Sequence, residues 1–487
     1  MLDALANVFA GNWIISVLAF IAVASTAIII VIILSENRNP VKSLAWVTVL
    51  LLFPVVGIIL YLFFGRSFKN TRMISRRSRR KLRRKEKTGY VDAHLLGLDD
   101  SSVQQINMGR SLAGAQLYVA NTVEVFTCGK EKFDSLINDL QSAEKYINIQ
   151  YYIFEDDEIG SQVADILIDK ARSGVTVRLM YDHVGSFGVK SRFFKRLRSE
   201  GIQAYPFFRV TFPQLATRIN WRNHRKMCIV DGKIGYLGGM NVADRYITGG
   251  RNFAKWRDTH VRVTGDIVSA LQYSFAVDWN FMGGALIEDD KIENIEVPVT
   301  ERAVSNVGAQ LLTSGPLSKW PNIGLAFHKA ISNAKRRVYI QTPYFLPTEA
   351  LLKTLQSAAL SHVDVRIMMP RYSDSAMLSH ASASYINECL EAGIKFYFYT
   401  AGMLHSKMMI VDDELVTIGS TNFDFRSFEC NFESNLFFYS KELTARMLSV
   451  FKSDQACCDR VDASQWRRRP FAVKVAESVL RLLSPVL

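Results

Sequence analysis

The sequence predicts an α/β fold with two similar halves, each a mixed β-sheet flanked by helices, preceded by a transmembrane helical hairpin. Three observations support this prediction. Helix-like and strand-like patterns alternate beyond residue 110. Strand-like segments and polar motifs from the first half of this region recur in the second. Two long uncharged runs precede the first of these patterns.

Length and composition limit the class of protein. The 487 residues are enough for two or three domains. An apolar content of 49% and a mean hydropathy of +0.07 exclude a disordered or collagen-like chain. A net charge of +13 is compatible with nucleic acid, an anionic membrane or an acidic substrate as partner. The positions of the basic residues decide between these partners.

The two uncharged runs predict a transmembrane hairpin over residues 1–65. The first span, about 13–34, exceeds the ~20 residues that a helix needs to cross a bilayer. The second span, about 43–65, follows a short polar turn and contains Pro54, which a membrane helix tolerates when its neighbours satisfy the freed carbonyl. A signal peptide is the alternative for the first run, but the chain starts with Met-Leu-Asp rather than with basic residues.

A basic segment follows the hairpin, inside a predicted juxtamembrane linker over residues 66–110. Between Arg66 and Lys87 there are twelve Lys and Arg residues and one acid, Glu86, so this segment carries most of the net charge. Basic clusters beside a membrane helix favour the cytoplasmic side and attract anionic headgroups at about 1 kcal/mol per residue. We therefore expect the rest of the chain to face the cytoplasm. A solvated linker without lipid contact predicts the same orientation.

An internal repeat predicts two domains, over residues 111–300 and 301–465. The strand-like segment Ala143–Gln150 recurs as Ala334–Gln341. Each copy leads to a further strand, Val175–Tyr181 in the first half and Val363–Met369 in the second. Helical patterns separate these strands, which indicates α/β units with a central sheet.

The most specific signal is a polar motif that occurs once in each half, with an offset of 181 at every matched position. Two complete copies with the same spacing make coincidence negligible. The first copy is His224-Arg-Lys226 through Asp231, followed by Gly238-Gly239-Met240-Asn241, and the second is His405-Ser-Lys407 through Asp412, followed by Gly419-Ser420-Thr421-Asn422.

The spacing within the motif predicts where its side chains point. Residues two apart on a strand share a face, so each histidine should point the same way as its lysine. Each aspartate is seven residues further on, and Asp231-Gly232 and Asp412-Asp413 are typical of hairpin turns, so we expect a structural or field-setting role for both acids. The small residues would let the backbone approach a ligand, with Asn241 and Asn422 as neutral donors.

Two imidazoles, two ammonium groups and two amides suit a phosphodiester. Lys226 and Lys407 would neutralise the non-bridging oxygens, while one of His224 and His405 attacks phosphorus and the other protonates the departing oxygen. A single half cannot place groups on both sides of phosphorus, so we expect one active site at the interface between the halves. The six cysteines and the histidines show no metal-ligand spacing, and neither a metal nor another cofactor is expected.

The paired motifs resemble those of the phospholipase D superfamily, and essentially the whole chain is similar to the bacterial cardiolipin synthases of that superfamily. The similarity includes the segments 39–66, Trp256–His260 and Arg481–Pro485. It implies two phospholipase D-like domains that share one interface active site. It also implies condensation of two phosphatidylglycerols to cardiolipin and glycerol through a phosphatidyl-histidine, without metal, in a multi-pass protein of the bacterial inner membrane with cytoplasmic catalytic domains.

The resemblance also implies roles for individual residues. His224 would be the nucleophile, because the family usually uses the first histidine, and His405 the general acid and then the base. The sequence alone does not separate these two roles. Asp258 and Glu433 follow their motifs at comparable distances and are candidates to bond the imidazoles and set their tautomers. An ordinary exposed acid is the alternative at both positions.

Two other classes of function compete with the synthase. One is a phospholipase D-type phosphodiesterase, either a lipid hydrolase or, with less support, a nuclease. The basic run favours the nuclease, but its position beside a predicted span favours lipid. The other is a silent membrane scaffold, which the two complete motifs disfavour. We expect phosphatidylglycerol and anionic membrane lipids as partners and no nucleic acid; the sequence carries no indication of oligomeric state.

Two segments outside the motifs are predicted to contact the membrane. The first half has about eleven extra residues before its motif, within residues 205–218, and they include Phe207 and Phe208. Aromatic and basic residues suit a membrane interface, so this insertion is expected to border the route of the acyl chains. The tail over residues 466–487 is expected to form an amphipathic helix on the membrane surface. For both segments, packing against the domain is the alternative.

Overall fold

The structure is a computed structural model that describes residues 13–35, 40–61, 65, 73–83, 93, 97–209, 221–250, 252–287 and 300–482. The described residues from 13 to 65 form one compact unit, and the described residues from 73 onward form a second. Residues 66–72, 84–92 and 94–96 of the predicted linker, residues 210–218 of the insertion and the end of the tail lie outside the described residues.

The described helices are α1 Trp13–Ser35, α2 Pro40–Leu52, α3 Pro54–Leu60, α4 Arg76–Arg83, α5 Asp100–Ala113, α6 Gly129–Gln141, α7 Glu158–Arg172, α8 Ser191–Ser199, α9 Arg245–Thr248, α10 Ile267–Phe281, α11 Asn322–Ser332, α12 Glu349–Leu360, α13 Ala376–Glu391, α14 Phe425–Glu429, α15 Lys441–Gln455, α16 Ala463–Arg467 and α17 Phe471–Leu482.

The described strands are β1 Tyr118–Phe126, β2 Tyr146–Tyr151, β3 Thr176–Asp182, β4 Gln203–Phe207, β5 Met227–Val230, β6 Ile234–Gly238, β7 Trp256–Arg257, β8 His260–Thr264, β9 Ala303–Ser314, β10 Arg337–Gln341, β11 Phe345–Leu346, β12 Asp364–Pro370, β13 Lys395–Tyr399, β14 Met403–Leu404, β15 Met408–Val411, β16 Leu415–Gly419, β17 Phe423–Asp424, β18 Glu433–Tyr439 and β19 Cys458–Arg460.

Helices α1 to α3 belong to the N-terminal unit. Pro54 opens α3, because proline fits the first helical position, where no backbone donor is needed. A small apolar cluster around Ile33, Leu50 and Tyr61 joins these helices. Among the residues described with their side chains, no helix has both the length and the apolar composition needed to cross a membrane. The transmembrane hairpin therefore stays a prediction, and its turn at residues 36–39 is not described.

One mixed sheet of 15 strands runs through the second unit, and its strand order repeats. In the first half the order is β4-β3-β2-β5-β6-β8-β1, and in the second it is β13-β12-β10-β15-β16-β18-β9, with β19 added at the outer edge. The strands β2, β3 and β4 are parallel, as are β10, β12 and β13, and β1 pairs antiparallel with β9 at the centre. The predicted α/β fold with two repeated halves is confirmed.

Each half has its own apolar core between the sheet and its helices. Strand β2 is buried along its whole length. On α7, Ile159, Val163 and Leu167 are buried, and their spacing of four residues places them on one face of the helix. The Asp157 side chain begins α7 by accepting a hydrogen bond of 3.0 Å from the Gly160 N–H. Amphipathic helices therefore pack their apolar faces against the sheet, and the sheet carries the functional segments.

The end of β4 corrects part of the hypothesis about the insertion. Phe207 is fully buried, and Phe208 is 4% exposed. The Phe207 ring centroid lies 5.3 Å from that of Phe432, and the Phe208 centroid 5.7 Å from that of Phe281. The prediction that these two phenylalanines lie beside the acyl chains is wrong, because they pack inside an aromatic cluster that joins the two halves.

The C-terminal helix α17 packs against α13 with one face. Arg481 pairs with Glu388 at 2.6 Å and lies 4.0 Å above the ring of Tyr385. Apolar side chains on other positions are exposed, among them Phe471 and Leu482. The helix is amphipathic and packs against the second half, and membrane contact of its exposed residues stays a prediction.

We expect Phe207→Ala to destabilise the protein by about 3–5 kcal/mol, because it leaves a cavity in the aromatic cluster. Thermal unfolding of the full chain in detergent measures this effect, with the exposed Arg209→Ala as the control. An unchanged unfolding temperature, with activity lost on bilayers alone, would restore the original hypothesis.

Candidate active site

The segment that carries His224 pairs with the opposite half rather than continuing its own strand. Strand β5 begins only at Met227, after the motif lysine. The His224 N–H donates to the Phe432 carbonyl at 2.9 Å, and the Phe432 N–H donates to the Arg222 carbonyl at 2.8 Å. The sequence predicted that histidine and lysine lie on one strand. In the structure the strand begins after the lysine, and the histidine backbone pairs with the other half.

The segment that carries His405 likewise pairs with the backbone of the opposite half. The His405 N–H donates to the Arg257 carbonyl at 2.7 Å, and the Met403 N–H donates to the Lys255 carbonyl at 2.9 Å. Strand β14 accordingly pairs in parallel with β7 of the first half. The two histidine segments are therefore fixed by four backbone bonds between the halves.

Each imidazole also bonds a carboxylate from the opposite half. His224 Nδ1 lies 2.9 Å from Glu433 Oε1, and His405 Nδ1 lies 2.7 Å from Asp258 Oδ2. Both acids are fully buried, so the alternative that they are ordinary exposed acids is wrong. A carboxylate accepts the Nδ1 proton, which leaves Nε2 of each histidine with the lone pair for a ligand.

The small residues of the motifs make room for these carboxylates. A Cβ at Gly239 would lie 2.0 Å from Asp258 Oδ1. At the matched position the hydroxyl of Ser420 donates to Glu433. The expectation that these positions let backbone approach a ligand is therefore wrong at Gly239, where the space is occupied by the acid that orients His405.

The two motif lysines are buried beneath the histidines. Lys226 is 0% exposed and Lys407 2%. Lys226 Nζ donates to the His224 carbonyl at 2.5 Å, and Lys407 Nζ donates to the His405 carbonyl. Lys407 Nζ also lies 2.7 Å from His405 Nδ1, the nitrogen that faces Asp258. Because Asp258 is charged, we assign the Nδ1 proton to the bond with that carboxylate.

Burial sets the charge of these groups. It lowers the pKa of His224, lowers that of Lys226 well below its ordinary value, and lowers those of His405 and Lys407 to about 4 and about 8. Burial alone would raise the pKa of Asp258, but Lys407 and His405 hold it below its ordinary value. At neutral pH the cavity thus combines neutral imidazoles with a charged Asp258 and a protonated Lys407.

The pKa of the Glu433 carboxyl is also set by burial and by neighbouring charges. Burial alone would raise its pKa, whereas His224 and Lys226 lower it below the ordinary value. Asn431 Nδ2 adds a bond of 3.3 Å to Glu433 Oε1. The carboxylate that faces His224 is therefore ionised at neutral pH.

The motif aspartates lie at the other ends of strands β5 and β15 from the histidines. Asp231 accepts three backbone N–H bonds of 2.8–2.9 Å, from Glu144, Lys145 and Tyr146. Asp412 does the same at the start of β10, with bonds of 2.7–3.0 Å. Both have a φ of 52°, a conformation that aspartate adopts more readily than most residues. These contacts support a structural role for both acids.

The two motif amides line the cavity but already have protein partners. Asn241 Oδ1 accepts the Ile153 N–H at 3.0 Å, and its Nδ2 donates to the Tyr246 hydroxyl at 2.5 Å. Asn422 donates to Asp424, while its own Oδ1 is buried with no hydrogen-bond partner. Binding of a phosphate by these amides stays a prediction.

A cavity of about 420 Å³ brings His224, His405, Asn241 and Asn422 together. In the described part of the chain, no group of three or more His, Cys, Asp or Glu side chains is arranged to hold a metal ion. Several residues that the sequence reasoning missed also line the cavity, namely Tyr152, Arg222, Arg245, Tyr246, Trp256, Tyr344, Asp374 and Arg426. One available signal was that Arg245 and Arg426 are also 181 residues apart.

Two buried ion pairs hold the segments beside the imidazoles. Arg225 binds Asp278 at 2.6 Å, and Arg257 binds Asp454 at 2.8 Å across the halves. Each aspartate also accepts a bond of 2.7 Å from a glutamine that ends the repeated strand, Gln150 and Gln341 respectively. The recurrence of this glutamine in both halves was the signal that could have indicated these pairs.

We expect Asp231→Ala to lower the free energy of unfolding by about 2–4 kcal/mol, because three backbone donors lose their acceptor and alanine is strained at positive φ. Asp231→Asn should cost less, since asparagine keeps one acceptor and tolerates this φ. Chemical denaturation provides the comparison. A loss of turnover in either variant at wild-type stability would instead assign Asp231 to catalysis.

We expect kcat/KM to fall as pH rises above about 8, because Lys407, with a pKa of about 8, loses there the charge that attracts a phosphate. Lys407→Arg keeps its charge at high pH, so the alkaline limb should disappear even if the maximum rate is lower. Initial rates measured between pH 6 and 10 give both profiles. An alkaline limb that is unchanged in Lys407→Arg would exclude Lys407 as its source.

Comparisons with known proteins agree with this architecture. Residues 136–279 and 327–455 match the family "Cardiolipin synthase, PLD-like domain", and residues 22–66 match "Phospholipase D-nuclease N-terminal". Among the similar proteins, the cardiolipin synthase of Geobacillus kaustophilus is 37% identical over 99% of this chain and 96% of its own. The major cardiolipin synthase ClsA of Bacillus subtilis is 38% identical over 94% and 96%.

Solved structures show the same fold. The phosphatidylserine synthase of Haemophilus influenzae superposes with a TM-score of 0.60 at 13% identity, and the match covers 79% of this chain and 100% of that one. The duplicated sheet, the paired motifs and the full-length similarity lead to one conclusion. The chain belongs to the cardiolipin synthase family of the phospholipase D superfamily.

Proposed function

We propose that the protein is a membrane phosphatidyltransferase that condenses two phosphatidylglycerol molecules into cardiolipin and glycerol. The observation that carries the proposal is the single cavity in which two imidazoles meet, each oriented by a carboxylate of the other half. The names of relatives that are 37–38% identical over nearly the whole chain support the choice of substrate and product.

In the first step, His224 Nε2 attacks phosphorus of the donor lipid. The N–P bond forms as the bond from phosphorus to the headgroup glycerol oxygen breaks, and His405 gives its Nε2 proton to that oxygen. This step needs a protonated His405, although burial and the charge of Lys407 lower its pKa to about 4. A bound phosphate anion would raise that pKa, because it offsets the positive charge of Lys407.

In the second step, a hydroxyl of another phosphatidylglycerol gives its proton to His405 and attacks phosphorus. The N–P bond breaks, and its electron pair returns to His224 Nε2. Lys226 and Lys407 would neutralise the non-bridging oxygens in both steps, with Asn241 and Asn422 as additional phosphate-binding groups. The assignment of His224 as the nucleophile rests on the resemblance to the family.

Glu433 and Asp258 act through the imidazoles in this mechanism. Each holds the Nδ1 proton of one histidine, so that Nε2 of His224 is free to attack phosphorus and Nε2 of His405 is free to exchange a proton with the glycerol oxygen. The carboxylate also stabilises the imidazolium when that histidine carries a second proton. Asp231 and Asp412 hold the hairpins on which the two motifs stand.

We further propose that residues 1–65 are a transmembrane hairpin and that the catalytic domains lie on the cytoplasmic side of the bacterial inner membrane. The two uncharged runs and the basic segment beginning at Arg66 support this proposal. Large apolar side chains of α1 are exposed, including Phe20 at 73% and Val31 at 65%, as suits contact with lipid. The limits of the linker, of the two domains and of the tail stay predictions.

We expect purified full-length protein, incubated with phosphatidylglycerol vesicles and a chelator, to release cardiolipin and glycerol in equal amounts by mass analysis. His224→Ala and His405→Ala should each lower the rate by at least about a thousandfold. His380→Ala is the matched control, since that histidine is exposed and does not line the cavity.

Phosphatidic acid as the sole lipid product would remove the synthase proposal and favour a phospholipase D-type hydrolase. Wild-type rates in either cavity histidine variant would exclude the two-histidine mechanism.

A further inference from the structure

Exposed apolar side chains are concentrated around the catalytic cavity. In the described residues from 73 onward, eight large apolar side chains outside α17 are exposed. Five of them lie in the chain within three residues of a side chain that lines the cavity, and we call these five the apolar rim: Val184, Phe187, Ile247, Tyr372 and Met377. The other three are Tyr205, Trp320 and Leu360.

Both halves contribute to the apolar rim. Phe187 follows strand β3 and Tyr372 follows strand β12, and these strands hold the same place in the order of the two half-sheets. Phe187 is 79% exposed and Tyr372 71%, which makes them the most exposed members of the rim. The Phe187 N–H donates to the carbonyl of Val184, a residue of the cavity wall, at 3.1 Å. The most exposed side chain of each half therefore occupies an equivalent loop beside the cavity.

Hydrogen bonds hold the loops that carry the rim. After β3, the Asp182 carboxylate accepts the N–H groups of Val184 and Gly185 at 3.0 and 2.9 Å. After β12, Asp374 accepts the Tyr344 hydroxyl at 2.5 Å. The exposure of the rim is therefore a property of the folded chain, because its side chains stand on backbone that the fold fixes.

The cavity itself does not suit the acyl chains of a lipid. Its described lining includes three arginines and two aspartates besides the two imidazoles. Hydrocarbon placed against such groups would separate them from water, which is costly. The acyl chains of a lipid whose phosphate lies at the imidazoles therefore extend out of the cavity. Val184, which lines the cavity and is 38% exposed, shows that the rim begins at its wall.

A lipid surface is the partner that fits the rim. Exposed apolar side chains that cluster beside a site mark a contact with an apolar partner. Tyrosine suits the level of the headgroups, because its ring is apolar and its hydroxyl can meet water. Arg371, exposed next to Tyr372, adds a positive charge that anionic headgroups attract.

Resting on the proposed function, we propose that the apolar rim inserts into the lipid surface and that phosphatidylglycerol enters the cavity across it. The acyl chains then stay in apolar surroundings while the headgroup reaches the imidazoles. Phe187 and Tyr372 contact the bilayer from the two sides of the duplicated fold. The rim thus has the role that the sequence suggested for Phe207 and Phe208, which are buried.

Quenching of tryptophan fluorescence tests the insertion directly. Full-length Phe187→Trp is placed in nanodiscs of phosphatidylglycerol with brominated acyl chains, and the wild-type emission is subtracted because the chain has seven tryptophans. We expect the bromines to lower the emission of the added tryptophan by about twofold or more, since an inserted side chain reaches the acyl region. Leu360→Trp is the matched control, because Leu360 is 66% exposed but does not belong to the rim. Its emission should stay unchanged.

Two substrates separate the rim from the chemistry. We expect Phe187→Ser and Tyr372→Ser each to lower kcat/KM for phosphatidylglycerol vesicles by about tenfold, the effect of losing one buried apolar side chain. Exchange of labelled glycerol into glycerophosphoglycerol, a water-soluble phosphodiester, should keep its wild-type rate in both variants. Leu360→Ser should keep both rates.

Unquenched emission from Phe187→Trp in brominated nanodiscs would overturn the insertion. Emission that varies with protein concentration, and not with bromination of the lipid, would overturn it too, because a second copy of the chain would then cover the rim. Equal losses on vesicles and on glycerophosphoglycerol would assign these residues to the cavity or to folding instead. Quenching of Phe187→Trp in a protein whose wild type forms no cardiolipin would overturn the proposed function and leave the insertion supported.

Discussion

The catalytic architecture depends on two hydrogen bonds that cross between the halves, from His224 to Glu433 and from His405 to Asp258. Each half supplies the buried carboxylate that pairs with the imidazole of the other half, and Asp258 also lies 3.9 Å from the Lys407 ammonium. An unpaired buried charge costs several kcal/mol, so each half is electrostatically complete only in the presence of the other. The same two bonds orient the groups that meet the substrate, which joins stability and function in one interaction.

The continuous sheet allows each half to supply the carboxylate that binds the histidine of the other half. Strands β1 and β9 join the two half-sheets, and the histidine segments then leave their own strands to pair with the backbone of the opposite half. The crossing pair of Arg257 and Asp454 fixes one of these segments from the side. Burial that results from this packing also lowers the pKa of both histidines and both lysines. Charge state in the cavity is thus a consequence of the fold.

Much of this architecture could be predicted from the sequence, because it is a repeat. The constant offset of 181 identified both motifs, and the alternation of patterns predicted the two α/β halves. The hairpin turns after Val230 and Val411 followed from the local residue types. These features depend on short stretches of chain, in which spacing alone determines which side chains share a face.

Other features depend on contacts between distant residues. Asp258 and Glu433 follow their own motifs in sequence, and nothing in that spacing shows that each serves the histidine of the other half. Phe207 and Phe208 have the composition of a membrane contact, but neighbours from α10 and the second half bury them. Arg222 and Arg426 are ordinary basic residues in the sequence, and only folding brings them into one cavity.

Nitrogen-15 NMR of histidine-labelled protein at neutral pH tests most directly whether each histidine is bonded by a carboxylate of the other half. The His224 and His405 resonances are assigned by their loss in the two alanine variants. The account predicts that both imidazoles are neutral with the proton on Nδ1, and that Glu433→Gln changes the His224 signals while those of His405 keep their shifts. An Nε2–H tautomer at His224, or a response of His405 in its place, would contradict it.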